Sequence, residues 1–554
     1  LAHSFLGNDD KELPMNCRSL RRLDLLLVLP AAAASLAPAL GATEPPRPNI
    51  IVIMTDDQRW DTLDAPPMAN VLALAAGHGV RFFKALVTTP LCCPSRASFL
   101  TGKLAHDHGV QSNNGGASAF EPEEVFTLAT QLAGAGYATG LFGKYLNDYA
   151  QREIPGSSPP AFEVPPGWTE WQAFAIEKHF EYQLTNSAGQ ALPKNAFACE
   201  QDDYATDVLT DRAIGFIQDR VAAGGPFFVF LSLKAPHSPH TPLLADDAAL
   251  DGLAPWRPES FDEPDASDKP PWLQGTRCPR LSCLEKRQLH CDRANQLEML
   301  RSVDAAVGRV RQAVDASPVA ANTMIVFTSD NGFNWGEHRL IAKRCPYEEC
   351  LRVPLVIRWP AAVPESAGDV WAQVTNLDLT ATIAHEAGVE GWPPSPGESL
   401  GAYLRGIVPF FWRRHVLAEG WKGALAWVAV REENVDAYEW KYIESSAAFD
   451  GQAILFRELY NLSQDPDEGS NLIQLGSAPP VVVARLQSKL AELHQHWPPV
   501  SRPGEAPKCR SVTPDPAPVP SCEMPPACPC YDAQGRAADC DGHAPLSLCA
   551  GHGD

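Results

Sequence analysis

The sequence predicts an α/β fold: a mostly parallel central sheet sandwiched by helices, with a smaller C-terminal α+β subdomain and a Cys/Pro-rich tail. Two observations predict it. Short, continuously apolar runs alternate with segments whose apolar residues recur every third or fourth position. Strands of that kind, buried on both faces and separated by helices, build parallel sheets. Polar residues also cluster immediately after the apolar runs, the place where open α/β sheets bind ligands. The chain has 554 residues, 45% apolar and 20% charged, which supplies ample core and excludes disorder throughout.

The N-terminal segment reads as an export leader. Residues 1–14 are polar and precede Met15, the expected start. Arg18, Arg21 and Arg22 form a basic patch, followed by Leu25–Leu29 and an Ala-rich run to Ala42. A signal peptide over 15–42 with cleavage near Ala42 is expected, although Asp24 interrupts its apolar region. No later segment approaches about 18 uninterrupted apolar residues, so no stable membrane insertion is expected.

The strand candidates follow in order. Asn49–Met54 ends in Thr55-Asp56-Asp57, and Ala138–Phe142 ends in Gly143-Lys144. Phe227–Leu233 runs into Ala235-Pro236-His237, and Thr323–Phe327 ends in Thr328-Ser329-Asp330-Asn331-Gly332. Val353–Trp359 is a further buried candidate. Helical periodicity covers Val125–Ala135, Tyr204–Val221 and Gln296–Val314. Pro360 to about Gly420 returns towards helix and loop, Ala424–Glu444 and Glu458–Leu462 are strand-like, and Val481–His494 is a closing helix. Beyond Trp497 eleven prolines fall within 498–530 and six cysteines within 509–549, a disulfide-stapled appendage or Pro-rich linker. Cys528-Pro529-Cys530 lacks partners at zinc-binding spacing.

The residues after the strands are chemically pointed. Asp56, Asp57, Asp330 and Asn331 are hard oxygen ligands, suited to Ca²⁺ or Mg²⁺; Asp56-Asp57 alone would read as helix caps, and the second acidic pair at a strand end turns the reading to metal. Lys144 and Lys343 alone would read as solvated surface charges, and His237 as a structural histidine. The sharpest pattern is Leu91-Cys92-Cys93-Pro94-Ser95-Arg96, followed by Ala97-Ser98-Phe99-Leu100-Thr101-Gly102-Lys103. Ser95-Arg96 open an expected helix whose N-terminus favours negative charge.

Cys92-x-Pro94-Ser95-Arg96 resembles the signature of the formylglycine-dependent sulfatase family, within the alkaline phosphatase superfamily; the resemblance covers residues 48–475 or so. It implies that Cys92 is oxidised to formylglycine by the formylglycine-generating enzyme in the secretory path. It implies further that Asp56, Asp57, Asp330 and Asn331, with an oxygen of modified residue 92, hold one Ca²⁺. By the same resemblance Lys144 and Lys343 contact the sulfate, Arg96 helps neutralise it, and His237 protonates the leaving oxygen. One departure stands out. Many sulfatases follow the Gly-Lys pair with Trp-His, whereas this chain has Gly143-Lys144-Tyr145-Leu146-Asn147. That form resembles the N-acetylglucosamine-6-sulfatases and extracellular endosulfatases. It leaves the second proton acceptor open, with Asn147 unable to act as a base and His338, His106 and His108 as weaker candidates.

The 45 basic and 67 acidic residues leave a net charge of −22, which argues against binding nucleic acid, anionic membranes or a long polyanion. The expected activity is therefore that of an arylsulfatase or an N-acetylglucosamine-6-sulfatase-like enzyme, acting in exo fashion on a terminal sulfated sugar or, in assay, on a small aryl sulfate. Fifteen cysteines suit an oxidising compartment, so a secreted, periplasmic or lysosomal location is expected. Disulfide connectivity stays open. Asn461-Leu462-Ser463 is a glycosylation acceptor pattern. The expected organisation is a catalytic domain over 43–410, a C-terminal subdomain over 411–497 and the tail over 498–554. Two other readings remain: a phosphoester hydrolase of the same superfamily, and a Ca²⁺-dependent glycan-binding relative without turnover.

Overall fold

The computed structural model describes residues 47–494, apart from 159, 194–202, 244–245, 247–249, 251–252, 275–277, 394, 423–424, 436–437 and 450–451, together with 530–531 and 537–538. The expected leader over 15–42 lies outside the described residues, as does the tail apart from those two pairs.

Nine strands form the main sheet: β1 (Asn49–Thr55), β2 (Gly79–Leu86), β3 (Ala138–Gly143), β4 (Glu170–Ile176), β5 (Gln183–Leu184), β6 (Phe227–Ser232), β7 (Thr323–Ser329), β10 (Leu355–Arg358) and β11 (Val370–Thr375). The hairpin β8 (Asn334–Trp335) and β9 (Ile341–Ala342) stands apart. The order is β11-β2-β10-β7-β1-β6-β3-β4-β5. Only β10 and β5 run against the others, so the expected mostly parallel sheet is the one observed. Every residue of β1, β6 and β7 is buried, which is why these strands read as unbroken apolar runs.

Alternation along the strands separates two cores. Ile50, Val52, Phe228, Phe230, Met324 and Val326 face one layer, with Phe99 and Leu100 of the helix Cys92–Thr101 and Ile383 of the helix Asn376–Glu386. Ile51, Ile53, Val229, Leu231, Ile325 and Phe327 face the other, with Leu209 of the helix Ala205–Ala223 and Val303 of the helix Cys283–Asp315. The last helix begins thirteen residues before the expected Gln296, because Ser282 and Glu285 close a capping box at its start. The helix expected over Val125–Ala135 is shortened to Leu128–Gly134, a 3₁₀ turn occupying Glu121–Phe126.

The chain from 411 builds an antiparallel meander of β12 (His415–Lys422), β13 (Leu425–Val435), β14 (Tyr438–Phe449) and β15 (Gln452–Asn461). One face takes the helix Pro480–Leu493 through Val482, Leu486 and Leu490. The other face, through Val416, Trp427, Ile443 and Tyr460, packs on Tyr347, Cys345 and Cys350 of the segment that follows Lys343. Cys345 and Cys350 form a disulfide. Asn461 is buried and its Oδ1 accepts the Ser463 N–H, so the Asn461-Leu462-Ser463 pattern forms a turn.

Parallel register is what makes a site. Thr55 pairs with Ser329, and both Met54 and Gly143 pair with Ser232, so β7, β1, β6 and β3 end side by side. Gly143 takes φ +112°, and a Cβ there would lie 2.0 Å from the Ser232 carbonyl oxygen. Gly143→Ala is therefore expected to destabilise the fold by about 3–5 kcal/mol, read as a fall in the urea midpoint; an unchanged midpoint would contradict the register.

Candidate active site

Cys92 is the first residue of the helix Cys92–Thr101, three residues earlier than the start expected at Ser95, and all ten residues of that helix are buried. Leu91, the capping position, supplies no side-chain acceptor, so the positive end of the helix faces whatever lies over residue 92. Gly102, at φ +71°, ends the helix through its N–H to Ser98 O.

The strand ends deliver the rest. Asp56 Oδ1 lies 3.4 Å from Cys92 Sγ, and Asp56 Oδ2 accepts from Lys144 Nζ at 2.5 Å. Lys343 Nζ reaches Cys92 Sγ at 2.7 Å and Asp57 Oδ1 at 2.5 Å. His237 Nε2 stands 3.7 Å from Asp57 Oδ2, while His237 Nδ1 is 2.7 Å from Ser238 O. Asn331 donates to Asp57 Oδ1 at 2.6 Å across 274 residues of sequence. Arg96, wholly buried, donates to Asp330 Oδ2 at 2.8 Å and to Ser232 Oγ at 2.5 Å. All nine residues singled out from the sequence therefore lie in one connected network. The ligand atoms of Asp56, Asp57, Cys92 and His237 lie within 4.8 Å of one another. Asp330 instead spends one oxygen on Arg96 and the other on the Asp57 N–H.

Asp57 has φ +68°, a conformation uncommon outside glycine and a form of strain that gathers at functional sites.

Two buried polar atoms at the centre have no hydrogen-bond partner among the described residues: Asn331 Oδ1 and Arg96 Nη2. An unmatched acceptor beside three carboxylates is complementary to a cation, and an unmatched guanidinium N–H is complementary to an anion. The donors Asp56, Asp57, Asp330 and Asn331 therefore fit a hard cation such as Ca²⁺.

The electrostatics point the same way. Burial alone would raise the Asp56 carboxyl, but Lys144, His237, Lys343 and Arg96 hold it well below the usual range. Burial and then Asp56 push Asp330 up to about 6, against the pull of Arg96 and Lys343. Burial, followed by Asp56, drives the Cys92 thiol far above its ordinary value, so an unmodified Cys92 is a protonated thiol and a poor nucleophile. Burial lowers His237 to about 4, partly offset by Asp56.

Sequence reasoning passed over two charged groups here. Glu177 Oε1 is 3.4 Å from Lys144 Nζ and 3.1 Å from Lys234 Nζ. Lys234 lies within the same run as His237 and follows a buried strand, the signal used for the other residues. Glu177 follows β4, a strand its mixed pattern Glu170-Trp171-Gln172 concealed. The weaker histidine candidates lie elsewhere: His108 bonds Ser98 and Val110, and His338 stacks on Tyr347 and faces Glu263. Asn147 exchanges hydrogen bonds with Cys93, not Cys92.

A buried cysteine at a helix start, ringed by carboxylates, lysines and an arginine at the ends of parallel strands, defines a site for an anionic ester. The chain belongs to the sulfatase family: the family model described as Sulfatase matches residues 48–389, and that of the N-sulphoglucosamine sulphohydrolase C-terminal region matches 336–496. Human N-acetylglucosamine-6-sulfatase is 30% identical over 492 residues, covering 81% of this chain and 84% of the relative. The extracellular sulfatase SULF-1 homologue of Drosophila melanogaster is 34% identical over 376 residues, 67% of this chain, and this chain spans only 32% of that relative's length. A solved structure of a protein with its substrate D-glucosamine-2-N,6-O-disulfate superposes with TM-score 0.64 at 24% identity, covering 81% of this chain and 97% of the other.

Proposed function

We propose that this chain removes sulfate from a terminal sulfated sugar, using formylglycine formed from Cys92 and one Ca²⁺. The observation that carries the reading is the pairing of an unmatched acceptor, Asn331 Oδ1, with an unmatched donor, Arg96 Nη2, around a buried thiol. The human relative's name and the substrate in the superposed structure support 6-O-sulfated glucosamine as the first substrate to try. The secretory setting that formylglycine formation requires is supported by the Cys345–Cys350 disulfide and by the name of the fly relative.

The roles follow from charge. Formylglycine, as its hydrate, supplies two hydroxyls on one carbon, and Ca²⁺ held by Asp56, Asp57, Asp330 and Asn331 supplies positive charge against sulfate oxygens. Lys144, Lys343 and Arg96 bind the sulfate and offset the charge that grows on its oxygens. Asp56, whose Oδ1 lies 3.4 Å from the atom borne by residue 92, orients that atom within the site. His237 would hand a proton to the departing sugar oxygen from its imidazolium form, which Asp57 Oδ2, 3.7 Å from Nε2, and the charge of a bound sulfate favour. The carbonyl of Ser238, 2.7 Å from Nδ1, orients its ring so that Nε2 faces the site.

Peptide mass spectrometry of residues 85–96, with sulfate release from 6-O-sulfated N-acetylglucosamine, tests the reading. Formylglycine with turnover is expected; an unmodified thiol from a maturation-competent host, with no sulfate release, would overturn it. Paired sulfate and phosphate esters of one alcohol separate a sulfatase from a phosphoester hydrolase. Glu177 offers a second handle. Glu177→Gln removes a negative charge beside Lys144 and Lys234, so inorganic sulfate should inhibit about 3- to 10-fold more strongly. Weaker inhibition would mean that Glu177 mainly positions the lysines.

A further inference from the structure

A second cluster of metal-binding side chains lies away from Cys92, where three separate elements meet. His106 belongs to the short helix Ala105–His108, Glu419 to β12, and His494 follows the helix Pro480–Leu493. His106 Nδ1 and His494 Nε2 approach the same carboxylate oxygen, Glu419 Oε2, at 2.8 and 3.0 Å. The two imidazole rings are 4.5 Å apart. The other oxygen, Oε1, accepts the His106 backbone N–H at 3.0 Å, which fixes the plane of the carboxylate. The side chains of Glu419 and His494 are wholly buried, and that of His106 is 15% exposed.

We propose that His106, Glu419 and His494 bind one divalent transition-metal ion of the Zn²⁺ class, which ties the end of the C-terminal helix and β12 to the segment after the helix Cys92–Thr101. Two imidazoles and one carboxylate are a ligand set for Zn²⁺ and its neighbours rather than for Ca²⁺ or Mg²⁺. The three ligand atoms already lie within 4.8 Å of one another. Tetrahedral ligands about 2.0 Å from zinc lie about 3.3 Å apart, so the two N···O separations need open by only a few tenths of an ångström. Binding displaces both ring protons that face Glu419: that of His106 moves to Nε2, where Asp107 Oδ1 stands 3.5 Å away as a carboxylate partner, and that of His494 moves to Nδ1.

Charge supports the assignment. No lysine or arginine pairs with Glu419 among the described residues; its ion pairs are with the two histidines. The buried Glu419 carboxylate therefore faces imidazoles alone among the described residues, a setting that a bound cation complements. The partial exposure of His106 gives the cluster an edge open to solvent. The cluster is also coupled to the backbone leading to Cys92, since the Glu419 N–H donates to Thr88 O at 2.8 Å.

The test titrates Zn²⁺ alone into the full chain, stripped of transition metals and kept in excess Ca²⁺ so that the Cys92 cluster is occupied. One bound equivalent and a raised unfolding midpoint are expected. His106→Gln and His494→Gln should each weaken that equivalent by at least about 100-fold. Absence of the equivalent, or its persistence in both variants, would overturn the proposal and leave a hydrogen-bonded His–Glu–His contact. Should a variant fail to fold, anomalous scattering at the zinc edge from Zn²⁺-soaked crystals of the unaltered chain decides: a peak among the three side chains supports the site, and its absence refutes it.

Discussion

Cys92→Ala, made in a maturation-competent host, is expected to lower kcat/KM for sulfate esters by roughly 10⁵-fold or more while leaving the protein folded. The loss is large because no neighbouring group substitutes for residue 92. Cys93 is turned towards Asn147, and its thiol is pushed up to about 12, chiefly by burial. The fold should survive because residue 92 opens a helix, where alanine is favourable, and the change removes one sulfur from a site crossed by Lys343 and Asp56. Sulfate release and a thermal melt, measured together, check both halves. Residual activity within about 100-fold of the unaltered enzyme would mean that another nucleophile does the chemistry.

Exhaustive removal of divalent cations is the second large effect, expected to lower kcat by about 10³-fold or more, with recovery on adding Ca²⁺. Asp56, Asp57 and Asp330 are all buried, and burial and then Asp56 push Asp330 up, so a cation between them would relieve the repulsion on Asp330. Lys144 and Lys343, which now lie on Asp56 and Asp57, would then be drawn off the sulfate. The anion site should weaken together with the chemistry, so KM is expected to rise as kcat falls. Asp57→Asn should raise the Ca²⁺ concentration needed for half-maximal rate at least about tenfold. Full activity in chelated, metal-free buffer would count against this account.

Much of the site was legible because its residues lie directly after locally recognisable strands. β1, β6 and β7 are buried on both faces, so their apolar runs stand out, and Asp56, Asp330 and His237 follow within a few positions. The Cys92-x-Pro94-Ser95-Arg96 pattern is likewise contiguous, and its physical role, a residue at the positive start of a helix, is local. The parallel sheet followed from the alternation of such strands with amphipathic helices.

Non-local contacts decided the rest. β2 carries Arg81 and Lys84 on partly exposed faces, and β11 leaves Trp371 exposed, so neither reads as a buried strand; pairing of β2 with β10 and β11 reveals them. The reversed direction of β10 is a property of its neighbours β7 and β2, not of its own composition. Glu177, the attachment of Asp330 to Arg96 and the meeting of His106, Glu419 and His494 all depend on strand order and domain packing. By itself the sequence determined where the buried strands lie and which polar residues follow them, since apolar periodicity and contiguous motifs are local properties. Tertiary structure alone decided which charges face one another, because that depends on register and burial across hundreds of residues.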